Sequence, residues 1–428
     1  MIDRLDPQRR GLGGKADSDH VRRQNRSLVL SALRRREPIA RVDLGQETHL
    51  SPATITAITA DLIAEGLIEA RADDAVDQAS PPEPARRGRP RVLLRLDPTA
   101  GYVLAVKIAF NSLVLQLADF SGATVALQEP EVQTFEESRD SFPRKLAGFI
   151  RAFVASAGID LRQVAEIAIG AQGFVDTVGG SVMWSPAFRE RDMRLVEPLV
   201  SELGRPCIIS NDANMIAQAL HEANPDVYNG TFAVIYVGQG VGAGLFIADR
   251  LHHGAAGSAA EFGHMNHVID GPLCRCGRRG CIEAFASDYA VYRAFKGLPA
   301  DAPPGDIRPT SSELKLVEQA ASEGDPRAKA IYDSVGTALG YGVARLMAVI
   351  NPSRIVFTGA SLRAFPLFEQ TLKASVEAAL VEDLHRYTVI ETLPWQEDMI
   401  LNGLLSYMLT RLDREVFSNP AEARRFRP

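Results

Sequence analysis

Apolar positions in the first hundred residues recur at helical spacing in three short blocks. Leu30 and Leu33 give a first helix a buried stripe, Pro38 interrupts it, and a short second helix is expected over 41–48. A third helix starts at Ser51, whose side-chain oxygen can accept a free backbone N–H of the first turn. Pro52 follows at the position where a missing N–H costs nothing. Ile55, Ile58 and Leu62 then recur at spacings of three and four, Gly66 ends the helix, and 67–71 read as a strand. The acidic, Ala- and Pro-rich stretch 72–85 reads as a wing tip or mobile loop.

Helix, short helix, turn, capped helix and wing are the parts of a winged helix-turn-helix, whose second motif helix enters the DNA major groove. The residues offered at that helix start are Ser51, Ala53, Thr54, Thr56 and Ala57. These small or hydroxylated groups suit phosphates, base edges and thymine methyls. A helical hairpin for protein contact would show the same three-helix pattern. Arg87 and Arg89, in Arg-Gly-Arg-Pro, suit a narrow minor groove or a plain basic linker.

Beyond Pro98 the pattern changes to strands alternating with helices: apolar runs at 102–106 and 113–119, a helix at about 141–156, a strand at 164–169. Shifted by 130 residues, YVLAVKIAFNSLVLQLAD (102–119) falls on FAVIYVGQGVGAGLFIAD (232–249), with Leu115, Ala118 and Asp119 meeting identical residues. The fold class is therefore α/β, two related lobes resembling the actin-like ATPase (ribonuclease H-like) fold, with a ligand cleft between them. The expected divisions are a flexible 1–20, a winged helix-turn-helix at 21–80, a basic linker at 81–97 and the two-lobed body at 98–428. Lobe 1 takes about 98–210 and a C-terminal helix at about 395–412; lobe 2 takes about 211–394.

Composition agrees. At 428 residues, 46% hydrophobic, 23% charged and 7% aromatic, the chain is neither collagen-like nor wholly disordered. The longest stretch without charge, 227–248, carries five glycines and reads as strand and turn, so no membrane insertion is expected. The first residues hold no apolar signal-peptide run, and a cytoplasmic protein is expected. The net charge of −6 hides an asymmetry: 17 Lys+Arg against 15 Asp+Glu in the first hundred residues, 30 against 38 in the rest. Seven Arg lie between positions 22 and 41 with Glu37 alone, and five between 86 and 95 with no acid. Such stripes point to a polyanion partner or to solvated helix faces.

The sharpest chemical signal is Glu261-Phe262-Gly263-His264 followed by Cys274-Arg275-Cys276-Gly277-Arg278-Arg279-Gly280-Cys281-Ile282-Glu283. Three of four cysteines crowd into eight positions ten residues after a histidine. His264, Cys274, Cys276 and Cys281 make a Cys3His set suited to a closed structural Zn²⁺ site. A disulfide competes poorly in a reducing compartment. Cys207, in the strand-like CIIS, is expected as a buried apolar residue. Asn211-Asp212-Ala213-Asn214 follows that strand, where α/β folds place ligand groups, though such an Asp also serves as a helix cap.

The order AIGAQGFVD, NDAN, VGQGVGAG, EFGHM and CRCGRRGCIE behind a winged helix-turn-helix resembles the ROK family, and within it the sugar-responsive transcriptional repressors. The resemblance implies that Asp212 stands where ROK sugar kinases keep their catalytic base and here binds sugar beside Asn211. It implies that Glu261 and Glu283 bind sugar hydroxyls, that His264 serves both zinc and sugar, and that Gly173 and Ser185 are weaker sugar contacts. One departure bears on activity. Where ROK kinases carry Asp-x-Gly-Gly-Thr to cradle ATP phosphates, this chain has Lys107-Ile108-Ala109-Phe110-Asn111, without acid or glycines. Gly238-Gln239-Gly240-Val241-Gly242 and Thr358-Gly359-Ala360-Ser361 survive, and such glycines also serve tight turns.

The expected function is a DNA-binding regulator, a repressor of carbohydrate genes released from operator DNA by a small sugar effector, working as a homodimer or homotetramer and not as an enzyme. The alternatives are an active ROK sugar kinase that also binds DNA, and a repressor sequestered by a sugar-transporter protein.

Overall fold

A computed structural model describes residues 10–72, 92–255, 257–258, 260–381 and 384–420. The N-terminal winged unit comprises α1 (Arg10–Arg35), β1 (Ile39–Ala40), α2 (Arg41–Thr48), α3 (Pro52–Ala64), β2 (Ile68–Ala72) and β3 (Val92–Leu96). Ser51 caps α3 as expected, its Oγ accepting from Thr54 N at 3.2 Å, and Gly66, at φ +62°, turns the chain out of the helix. The three strands pair antiparallel in the order β1-β3-β2 and complete the wing.

Two boundaries differ from the sequence expectation. The segment expected to be flexible, 1–20, is helical from Arg10 onward, so α1 is longer than the apolar stripe that identified it. The expected linker 81–97 ends in β3, the central wing strand, because Leu94 and Leu96 alternate inward and are buried. Arg87 and Arg89 lie outside the described residues.

Lobe 1 contains β4 (Tyr102–Ala109), β5 (Ser112–Asp119), β6 (Thr124–Gln128), α4 (Phe142–Ser156), β7 (Val164–Ala171), β8 (Phe174–Asp176), β9 (Ser181–Trp184), β10 (Met193–Arg194), α5 (Val196–Leu203) and β11 (Cys207–Asn211). Next come α6 (Asp212–Ala223) and lobe 2: β12 (Phe232–Val237), β13 (Val241–Ile247), β14 (Arg250–Leu251), α7 (Glu283–Ala286), α8 (Asp288–Lys296), α9 (Ser311–Ser322), α10 (Pro326–Ile350), β15 (Arg354–Thr358), α11 (Phe365–Ala379) and β16 (Val389–Thr392). The described chain closes with α12 (Met399–Glu415).

The two main sheets have one topology. Lobe 1 runs β11-β7-β4-β5-β6 and lobe 2 runs β14-β13-β12-β15-β16. In each, the first three strands form an antiparallel meander and the last two add parallel beside the first. The 130-residue offset holds in the coordinates, with Tyr102 opening β4 and Phe232 opening β12. This is the expected two-lobed actin-like arrangement.

Helices α6 and α12 join the three parts. One apolar core extends from Leu30 and Leu33 through Ala105 and Ala168 of lobe 1 to Val234 and Val356 of lobe 2, with Met215, Leu404 and Met408 among its members. Their axes come close because Gly403 carries no side chain: a Cβ there would overlap the Met215 carbonyl. Cys207 is buried at the start of β11, and burial pushes its thiol up to about 12, as an inert core residue requires. No helix among the described residues is long and apolar enough to cross a membrane.

Two glycine substitutions separate packing from backbone preference. Gly148, exposed on α4 with open space around it, should give about 0.5–1 kcal/mol of added stability as alanine. Gly403→Ala should cost at least about 2 kcal/mol by forcing α12 off α6, read by urea unfolding.

Candidate functional site

Between the lobes lies a cleft that brings together Gly173, Asn211, Asp212, Glu261, His264 and Glu283. Asn211 ends β11 and caps α6. Its Oδ1 accepts from Ala213 N at 2.8 Å and its Nδ2 donates to Gly173 O at 2.7 Å, tying the β7–β8 turn to the helix start. Gly173 sits at φ +95°, and a Cβ there would overlap the Trp184 carbonyl, so the turn tolerates only glycine. Asp212 opens α6 with Oδ1 accepting from Ala213 N at 2.8 Å. Burial pushes its carboxyl up to about 6, against the opposing pull of the Ala213 N–H and the Lys107 charge.

Glu261 precedes a 3-10 turn, Phe262–His264. Burial raises its carboxyl to about 7, His264 opposes this, and the neighbouring carboxylates of Glu283 and Asp212 raise it further; three acids thus converge on one space. Glu283 is buried at the head of α7. Its Oε2 accepts from Val241 N at 3.2 Å and its Oε1 lies 3.4 Å from the Tyr289 hydroxyl. A Cβ on Gly240 would stand 3.0 Å from Glu283 Oε2, so that glycine keeps the carboxylate approachable.

Ser185 is the exception among the expected contacts. It is 2% exposed, does not line the cleft, and spends its hydroxyl on the Ala187 N–H at 3.1 Å. Its neighbours Trp184 and Pro186 line the cleft instead, with the indole 5.7 Å from the His264 ring and edge-on to it. Sequence reasoning also missed Tyr236, Gln239 and Arg275. Arg275 lay in plain view inside the cysteine run; its guanidinium donates to Gln239 O at 2.8 Å, Ile307 O at 3.1 Å and Pro304 O at 3.2 Å.

His264, Cys274, Cys276 and Cys281 bring one ligand atom each within 4.8 Å of one another. Cys276 Sγ and Cys281 Sγ are 3.7 Å apart, and Cys274 Sγ is 3.6 Å from His264 Nδ1. A tetrahedron with metal–sulfur bonds of about 2.3 Å has edges of about 3.8 Å, so the donor set and its spacing fit a four-coordinate metal. His264 Nε2 faces away, 3.7 Å from Glu261 Oε2.

The stretch that departs from the phosphate cradle is filled. Asn111, at φ +47°, turns the β4–β5 hairpin; its N–H donates to Thr134 Oγ1 at 2.7 Å and its Oδ1 accepts from Phe135 N at 3.1 Å. Phe110 packs 5.5 Å from the Phe135 ring, and the Arg308 guanidinium from lobe 2 lies 3.3 Å from the Phe110 centroid. The second glycine run has a packing role: a Cβ on Gly244 would overlap Ala213 O and one on Gly242 would press Ala213 Cβ at 3.2 Å, so these glycines admit α6. In the third run, the Ser361 hydroxyl is bonded to Asp288, and Arg363 pairs with Glu318 at 2.8 Å.

On the N-terminal winged unit, Ser51, Ala53, Thr56 and Ala57 are exposed and Thr54 is half-buried. The Arg stripe at 22–41 is not a free cationic face. Arg22, Arg26, Arg34 and Arg35 pair with Asp61, Glu65, Asp413 and Glu47, and Arg41 bonds Thr59.

Comparison with known proteins places this geometry. The model of the ROK family matches residues 105–401. The DNA-binding transcriptional dual regulator NagC of Escherichia coli (strain K12) is 26% identical over 350 residues, 81% of this chain and 84% of that one. A glucokinase of Streptomyces coelicolor is 32% identical over 268 residues, 60% of this chain and 82% of that one. Among solved structures, a ROK family transcriptional regulator described as a homologue of the E. coli MLC protein superposes with a TM-score of 0.72. It is 24% identical and covers 92% of this chain and 98% of that one.

Asp212 carries a stability signature. Its carboxyl is raised from 3.8 to about 6, so the protonated form is favoured on folding, and this stabilisation is lost as pH rises through 6. Asp212→Asn should therefore stabilise the fold more at pH 8 than at pH 5, by about 1 kcal/mol after allowance for solvent access, in urea titrations at the two pH values.

Proposed function

The chain belongs to the ROK family, and from that premise we propose that it is a sugar-responsive transcriptional repressor whose operator is released when a sugar fills the interlobe cleft. The observation that carries this reading is the pairing, on one chain, of an exposed recognition-helix face with a cleft where Asn211, Asp212, Glu261, His264 and Glu283 converge, while Phe110 fills the first phosphate loop. Carboxylates and amides suit a neutral polyol because each makes paired hydrogen bonds with hydroxyls, and a cleft built for hydroxyls rejects analogues that lack them. The repressor names of the E. coli and Caldicellulosiruptor bescii relatives support the same reading.

Likeness to a glucokinase favours a second reading, sugar phosphorylation, and three observations weigh against it. Lys107 puts a positive charge where the kinases keep an acid near magnesium. Phe110, held by Phe135 and Arg308, occupies the space backbone N–H groups need to reach a phosphate. The third glycine run is spent on internal contacts, its Ser361 hydroxyl bonded to Asp288 and the nearby Arg363 paired with Glu318. The kinase base position, Asp212, is read here as a sugar ligand.

His264, Cys274, Cys276 and Cys281 would hold a structural Zn²⁺, which supplies a fixed anchor and no chemistry. Anchored at Nδ1, the His264 ring directs Nε2 toward Glu261 and the sugar, with its tautomer set. The recognition helix presents Ser51, Ala53, Thr54, Thr56 and Ala57 to a major groove. A dimer would set two such helices about one helical turn apart.

A gel-shift titration with the chain's own upstream DNA and a panel of monosaccharides and disaccharides tests the reading. One sugar should weaken DNA binding about tenfold or more, and no sugar should stimulate ATP hydrolysis. Sugar-dependent turnover of ATP would reverse the conclusion. Metal analysis should find one zinc per chain, lost in Cys276→Ala together with about tenfold or more of the sugar affinity.

A further inference from the structure

We propose that Asp413 is a positioning residue for DNA recognition and that α12 carries the state of the cleft to it. The proposal rests on the sugar-responsive reading above and names the path that reading requires.

The winged reading unit shares an apolar core with the body through Leu30 and Leu33 and is oriented on it by two guanidiniums. Arg34 of α1 meets Asp413 in a fork, Nε to Oδ2 and Nη2 to Oδ1, both at 2.9 Å, and Asp413 is fully buried. Arg34 also donates to Phe120 O and stands 5.1 Å from the Phe120 ring, which packs edge-on against Phe417 just beyond α12. Arg26, fully buried, bonds Glu65 through both terminal nitrogens and donates to Phe417 O at 3.0 Å. Glu65 is the C-cap of α3, so the recognition helix and the end of α12 share one guanidinium. Forked ion pairs fix orientation as well as distance, so a shift of α12 re-aims α3 rather than merely loosening it.

The other end of α12 rests on the cleft. Gly403 lies against the Met215 backbone of α6, and the first residues of α6 are Asp212 and its cap Asn211. Ile400 and Leu404 crowd Gly170 of β7, a short step from Gly173 in the cleft wall. From Gly403 to Asp413 is about 15 Å of helix, stiff enough to move as a unit.

One side of the boundary is open to solvent. A solvent groove separates Arg35, Asp43 and Glu47 of the reading unit from His221, Asp226 and Thr410 of the body. The unit is thus packed and bonded along one edge, through Leu30, Leu33, Asp413 and Phe417, and open along the other. A bistable orientation about that anchor is what two ligands need to bias each other.

The test compares full-length wild type, Asp413→Asn and Asp413→Glu by fluorescence anisotropy on a labelled duplex from the chain's own upstream region. The sugar is whichever of N-acetylglucosamine, glucose and xylose gives the largest calorimetric heat. In wild type it should weaken DNA binding about tenfold. Asp413→Asn should bind the sugar within about twofold of wild type, yet in that variant the sugar should change DNA affinity by less than about twofold; Asp413→Glu should keep a response. A full tenfold response in Asp413→Asn overturns the proposal. If no sugar binds wild type, the reading of the cleft is what fails, and hydrogen exchange without ligand decides the path. Asp413→Asn should then speed exchange in α3, which Asp413 does not touch, and leave α4 unchanged. Unaltered protection in α3, or a uniform loss across all helices, overturns it.

Discussion

The close approach of backbone to backbone around α6 is the constraint on which this molecule depends. Gly242 and Gly244 let the helix start settle on the lobe 2 sheet, and Gly403 lets α12 settle on Met215. Asn211 and Asp212 reach the cleft only because the helix start sits that deep. Side chains at any of these glycines would widen the gap by more than a packed interior tolerates. Glycines that read as a phosphate-binding loop therefore have a mechanical role that survives without any nucleotide.

That distinction shapes the functional argument. On the proposed reading the cleft has two halves, one that takes a sugar and one where a kinase would hold phosphates. In this chain the sugar-facing half keeps converging acids, an imidazole held against three thiols, and an indole beside it. The phosphate-facing half is spent on internal contacts: Phe110 with Phe135 and Arg308, Lys107 with Glu397, Ser361 with Asp288. Of these contacts, Phe110 with Arg308 joins lobe 1 to lobe 2.

Local chemistry was legible in the sequence, and distant contacts were not. The cap at Ser51, the turn at Gly66, the duplicated strand starts and the Cys3His spacing all follow from residues within a few positions of each other or from a repeat. The Arg34–Asp413 pair spans 379 positions, and nothing near either residue announces it; counted in sequence, Arg26 and Arg34 look like part of a basic face. Ser185 was placed in the cleft by likeness to a motif, whereas the β9 strand end turns Trp184 toward the cleft and tucks the serine into the turn. The wing strand β3 was hidden because five arginines surround it, though Leu94 and Leu96 alternate inward.

The central claim is that this cleft retains a sugar grip and has lost its triphosphate cradle. Isothermal titration calorimetry on the zinc-loaded full-length protein, with a panel of pyranoses and separately with magnesium–ATP, tests it most directly. The account predicts saturable heat with one sugar, abolished by Glu261→Gln, and none with magnesium–ATP whether or not that sugar is present. Stoichiometric binding of magnesium–ATP would contradict it.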